Sequence, residues 1–421
     1  MTRKMKDSGI EWIGMIPEGW GTIRFKYLHN GLNTGEAIDK EFWSSEDKDL
    51  VFYTAGLIPI RTSYTEFPSF KYTNKNDLLL ARNGTPYVYL PIEGACYTDH
   101  IIRAAMNDNV CRKFILYCLQ QSISSVVVDS VSIATWSASL WNEQILSFPP
   151  LPEQHRIAAY LDATCAQIDA VIEKTRASIE EYKKLKQAVI TQAVTKGIRP
   201  RRRMKDSGIE WIGEIPEEWE CCKLRHIGVT QNGISKGAES FGEGYPFVSY
   251  GDVYRNYSIP DRVSGLVQST EEEQEIYSVK QGDIFFTRTS ETIEEVGFSS
   301  VCEKTIPRAT FAGFLIRVRP YNNKLILGYS KYYFRSSHHR FYLVKQMNLV
   351  TRASLGQPLL KGMPVLVPNI DEQEEIVAYL DAKCAEIDTL IAKKQQLLTE
   401  LESYKKSLIF EYVTGKKEVL G

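Results

Sequence analysis

Two stretches of the chain carry their apolar residues at helical spacing over an unusual length. After Glu153, residues Ile157, Leu161, Cys165, Ile168, Ile172, Ile179, Tyr182, Val189 and Ala193 recur at steps of three, four or seven. After Glu372 the matching set is Ile376, Leu380, Cys384, Ile387, Ile391, Leu398, Leu401, Leu408 and Tyr412. Each stripe covers about a third of a helix surface, the width of a helix–helix seam. Polar residues such as Glu180, Glu181, Lys183, Lys184 and Lys186 fill the other face. Pro152-Glu153 suits a first turn and Asp371 an N-cap. Gly197, followed by Pro200, closes the first helix, and Gly415 lies near the end of the second. The pattern predicts two helices of about 43 residues, roughly 65 Å each at 1.5 Å per residue. A helix so long with one apolar face needs a partner of similar length, and each is the obvious partner of the other. Ile157, Leu161, Ile168, Ile172, Ile376, Leu380, Ile387 and Ile391 are the expected core of that pair.

Between the helices the pattern changes to short runs punctuated by Gly and Pro. "YPFVSYGDV" (245–253), "GDIFFTRT" (282–289), "GFSSVCE" (297–303) and "FAGFLIRVRP" (311–320) read as strands, and 323–346 as a helix. The earlier segment echoes this weakly. "NDLLLARNG" (76–84) matches "GDIFFTRTS" (282–290), aligning Asp77 with Asp283 and Arg82 with Arg288. "HIIRAA" (100–105) resembles "FLIRVR" (314–319), and 109–122 is the later helix.

The chain therefore reads as module, helix, module, helix. "MKDSGIEWIG" opens both modules, at 5–14 and again at 204–213. The expected division is 1–150, 151–198, 199–369 and 370–415, with a tail at 416–421. Antiparallel pairing of the helices would place the modules at opposite ends of a rod, related by a pseudo-two-fold axis. Trp12, Trp211, Ile13 and Ile212 would then anchor the modules by burial. The modules agree at their borders and diverge inside, as expected of one task with two targets.

Composition adds boundaries. A hydrophobic share of 43% and a charged share of 24% fit a globular chain, and no apolar run approaches a membrane span. A cytoplasmic location is expected. Net charge is −1, so binding to nucleic acid must rest on local patches. The densest basic run, "RPRRR" (199–203), reads most simply as a solvated linker, with contact to phosphate as the alternative. The eight cysteines form no CxxC pair and are expected to be reduced and packed; the six histidines miss metal spacing. Adjacent His338 and His339 should point to different sides of a helix. No Walker A loop or GxSxG elbow is present, and "FPPL" (148–151) lacks the Asn or Asp of an aminomethyltransferase motif. No catalytic residue, cofactor or metal is expected in this chain.

What remains is binding chemistry. Arg288, Thr289 and Ser290 sit where a strand enters a loop, and Thr351, Arg352 and Ser354 lie in another loop. In the first module the counterparts are Arg82, Asn83, Thr85 and Tyr87, with Trp136 and Ser137. Arginine reads guanine edges, Asn reads adenine, and Ser and Thr reach bases or phosphates.

These features together resemble the specificity subunit of type I restriction–modification enzymes. The motifs are "SGIEWIGMIPEGW" (8–20) and "SGIEWIGEIPEEW" (207–219), "GDIFFTRT", "PPLPEQHRIAAYLD" (149–162) and "PNIDEQEEIVAYLD" (368–381). The resemblance covers nearly the whole chain. It implies an α+β fold in which two α/β target recognition domains alternate with two long helices paired as an antiparallel coiled coil. It implies double-stranded DNA as ligand, each domain reading half of a bipartite asymmetric site. The partners it implies are two methyltransferase subunits using S-adenosylmethionine, and restriction subunits using ATP and magnesium. A scaffold without sequence-specific DNA binding is the alternative reading.

Overall fold

Helices form where the apolar stripes place them, over Leu151–Lys196 and Ile370–Val413. The structure, a computed structural model, describes residues 3–47, 49–83, 86–126, 135–290, 296–321, 323–346 and 353–419. The chain forms two compact units, Met1–Arg176 with Gln396–Gly421, and Ala177–Gln395. Each unit holds one module and a segment of both helices, so the division runs through the helices rather than at their ends.

In unit 1 the helix segments run antiparallel. The Tyr160 and Tyr412 rings lie 4.5 Å apart, and Lys405 Nζ reaches Asp169 at 2.7 Å. Ile157, Leu161, Cys165, Ile168 and Ile172 pack with Leu408, Ile409, Tyr412 and Val413. Unit 2 repeats the arrangement, with Lys186 Nζ 2.6 Å from Asp388 and Ile376, Leu380 and Cys384 packed with Ile190, Ala193 and Val194. Ile387 is buried, but Ile391 is only half-buried, unlike its counterpart Ile172. Burying an aliphatic side chain as fully as Leu161 or Leu380 stabilises by roughly 1.5–3 kcal/mol, so these residues dominate the seam.

Both modules are built on the same four-stranded antiparallel sheet. In unit 1 the order is His29–Thr34, Ile101–Met106, Asp77–Ala81, Val88–Tyr89. In unit 2 it is Gly228–Asn232, Leu315–Pro320, Ile284–Thr287, Ser299–Val301. The strands Asp77–Ala81 and Ile284–Thr287 are buried along their whole length, as their apolar runs Leu78–Ala81 and Ile284–Phe286 require between two covered faces. A second sheet flanks each. It comprises Cys96–Tyr97, Leu50–Tyr53, Ile60–Thr62 and Trp43–Ser44 in unit 1, and Gly265–Val267, Phe241–Val248 and Thr310–Phe311 in unit 2.

The repeated opening peptide has a physical cause. It forms a hairpin, Met5–Asp7 with Met15–Pro17 and Met204–Asp206 with Glu214–Pro216. The hairpin leads to a buried tryptophan that holds the start of a long helix. Trp20 Nε1 donates to Glu153 Oε2 at 2.9 Å, and Trp219 Nε1 donates to Glu372 Oε2 at 3.0 Å. Arg3 and Arg202 pair with the same two carboxylates. The deep anchors are thus Trp20 and Trp219 with Ile13 and Ile212, while Trp12 and Trp211 are only half-buried. The basic run is no free linker either. Arg199 pairs with Glu375, and Arg202 with Glu218 as well as Glu372.

Three further local expectations are corrected. The strand expected through residue 253 ends at Val248, and Tyr250–Arg255 is helical because Ser249 and Asp252 form a capping box. The helix expected over 323–346 is two, Leu327–Tyr333 and Ser337–Gln346. At the break, Arg335 Nη2 donates to the carbonyls of Val253, Tyr254 and Asn256, and Nε to that of Ser299. His338 and His339 do not diverge: both are buried, their ring centroids 3.9 Å apart, each Nδ1 within hydrogen-bond reach of Ser336 Oγ.

Candidate nucleic-acid interface

A buried aspartate opens each central strand, Asp77 as its first residue and Asp283 one residue before it. Asn74 N donates to Asp77 Oδ2 at 2.6 Å, and Lys280 N to Asp283 Oδ2 at 2.8 Å. Burial raises the Asp77 carboxyl above its ordinary range, against the lowering by that backbone bond and by Arg103 and Arg112. Arg103 lies 3.7 Å from Asp77, and Arg319 donates twice to Asp283, at 2.6 and 2.7 Å. Arg317 is buried, donating to Ser278 O and Gln231, and burial pulls its pKa down to about 10. These arginines serve the fold.

The arginines at the other end of the same strands stand differently. Arg82 N donates to His100 O at 2.8 Å, and Arg82 O accepts from Trp136 N at 2.7 Å. Arg288 N donates to Phe314 O at 2.8 Å, and Arg288 O accepts from Leu355 N at 2.7 Å. The turn before the neighbouring strand also repeats: Ile101 N to Thr98 O and Leu315 N to Ala312 O, both at 2.9 Å. Gly35 and Gly233 close against this turn. A Cβ on Gly35 would collide with the Tyr97 and Thr98 carbonyls, and one on Gly233 with those of Phe311 and Ala312. The two modules therefore hold the same backbone edge and hang different side chains on it.

Arg82 is exposed; Arg288 is half-buried, its Nη1 donating to Gly313 O at 3.4 Å. Asn83 Nδ2 sits 2.7 Å from His100 Nδ1. Thr289 pairs with exposed Ser354 in a short antiparallel bridge, and Ser290 with Ala353. The structure so brings Arg288, Thr289 and Ser354 to one edge. Trp136 reaches the Arg82 node only through its backbone. Its ring is buried at 4.9 Å from that of Trp141, which removes it from the accessible surface. Ser137 caps the short helix Ala138–Asn142, accepting from Leu140 N. Tyr87 is half-buried against Tyr89 and lines a cleft of about 730 Å³ with Gln120, Asp169 and Lys405. Thr85, Thr351 and Arg352 lie outside the described residues. Sequence reasoning missed His100 and Phe314, whose place at the node follows from strand pairing alone. Among the described residues no group of three or more His, Cys, Asp and Glu is placed to hold a metal ion. No described helix is long and apolar enough to cross a membrane.

The chain thus carries two copies of one sheet, each with an arginine just beyond the end of its central strand. The family model for the type I restriction modification DNA specificity domain matches residues 17–181 and 216–401. The chain belongs to that family and carries its domain twice. It is 23% identical over 355 residues to the type I restriction enzyme MjaVIII specificity subunit of Methanocaldococcus jannaschii, covering 82% of this chain and 80% of that one. To the EcoBI specificity subunit of Escherichia coli it is 23% identical over 339 residues, 74% of this chain and 69% of that one. A chain solved in work on complex assembly and conformational transition of the type I R-M system shares the fold. Its TM-score is 0.70 at 16% identity, with 96% of this chain and 99% of that chain covered. A DNA-specificity role in a restriction–modification complex follows, and the scaffold reading is not favoured.

Proposed function

We propose that each module reads one half of a bipartite, asymmetric duplex site through the edge that carries Arg82 or Arg288. The carrying observation is the repeated node: the same backbone hydrogen bonds hold an arginine at the end of the same strand in both modules. An identical frame with different side chains suits two readers of two sequences. Thr289 and Ser354 extend the second edge, and Asn83 the first. Arg352, Thr351 and Thr85 remain candidates from sequence. The paired helices set the number of unread base pairs and dock two methyltransferase subunits. Those subunits methylate adenine with S-adenosylmethionine, and restriction subunits add ATP- and magnesium-dependent cleavage. The chain itself contributes recognition and no catalysis, and it works in the cytoplasm.

Long-read sequencing of DNA from cells carrying this chain with its methyltransferase subunit tests the reading. A split methyladenine motif should appear and vanish when this chain is deleted. A motif that persists without the chain, or a continuous one, would contradict it.

A further inference from the structure

Resting on that reading, we infer that His100 and Phe314 are specificity determinants, one for each half-site. They occupy the same structural position. Each ends the turn before the sheet's second strand, and each gives its carbonyl to the arginine at the end of the neighbouring strand. Ile101 pairs with Ala81 and Leu315 with Thr287, so strand registers on both sides fix these positions. The backbone is shared, and the side chain is the variable.

Both side chains are exposed, and their chemistry differs. Phe314 is 64% exposed, a large apolar ring set beside Arg288 and two residues from buried Ala312. Most of this ring lies outside the module's own core. It suits apolar contact with the 5-methyl group of thymine in the major groove. His100 is held otherwise. Its Nδ1 lies 2.7 Å from the Asn83 side-chain nitrogen, which leaves Nε2 as the outward polar edge of the ring. A hydrogen-bonding imidazole edge suits the N7 and O6 acceptors of guanine. Arg82 and Arg288, common to both nodes, supply the shared attraction to DNA, and residues 100 and 314 make the halves differ.

The test uses the full chain with its methyltransferase subunits and compares wild type, His100→Phe and Phe314→His by methyladenine sequencing. Each variant should change base preference by roughly tenfold or more at one position of one half-site, a different half for each variant. The untouched half is the internal control for folding and assembly. Where a variant leaves no methylation, affinity of the purified complex for duplexes differing at single base pairs gives the same readout. Wild-type preference in both halves, or uniform weakening without any change in preference, overturns the inference and leaves the proposed function standing. A wild-type chain that yields no split motif removes both.

Discussion

Lys405 Nζ lies 2.7 Å from both carboxylate oxygens of Asp169, and in the other unit Lys186 Nζ lies 2.8 and 2.6 Å from those of Asp388. Each pair joins the two helices across the seam, and each lysine and each aspartate holds the equivalent place in its helix repeat. The ion pair is thus made twice, once with each helix as donor. Asp169 and Asp388 are about half exposed, so screening by water limits what either pair contributes.

Lys186→Ala and Lys405→Ala should each cost less than about 1 kcal/mol of stability, and the loss should shrink at high salt. Urea unfolding at low and high ionic strength checks this. A cost of several kcal/mol, unchanged by salt, would place these pairs among the main supports of the seam.

The buried glutamates should behave differently. Glu372 has a fully buried side chain held by Trp219 Nε1 and Arg202, so Glu372→Ala leaves a buried indole N–H unpaired and leaves Arg202 only its more exposed partner Glu218. Breaking a buried pair this way costs about 3–5 kcal/mol. Glu153, with its side chain 12% exposed, has the same partners in Trp20 and Arg3, and its loss should cost less. Denaturant titration of the two alanine variants gives the ranking, and an equal or reversed order would contradict it.

Acid should loosen unit 2 before its carboxylates titrate. Burial pushes the His338 imidazole down to about 3, and burial together with His338 holds His339 well below its ordinary value. Unfolded histidines titrate near about 6.5. Between the two values the unfolded chain binds more protons, so stability is complete above about 6.5 and falls as pH drops towards 3. The slope approaches about 1.4 kcal/mol per pH unit for each histidine. Unfolding midpoints at pH 7, 6 and 5 should fall in the wild type, and less steeply in His339→Leu. Equal slopes would contradict the assignment.

How far the sequence carried differs by element. The helix pair was legible because a single period persists over some forty residues, and the alignment of Arg82 with Arg288 survived because the central strand repeats. The site around them was not. Trp136 lies in a run of small polar residues that resembles a loop, yet its ring fills the core beside Trp141. His100 and Phe314 sit one residue before a strand, and only pairing with a distant strand brings them to the arginine. The helix at Tyr250–Arg255 did carry a local signal, the Ser249–Asp252 capping box, which the alternation of the preceding strand obscured. The break at Arg335 carried none, because the carbonyls it holds lie 36 to 82 residues away.

The most direct measurement exchanges residues 1–150 for the corresponding module of another family member and maps methyladenine in cells carrying the methyltransferase subunit. Independent reading by two modules predicts a motif with one half replaced, the other half retained and the spacer unchanged. A motif altered in both halves would contradict that account.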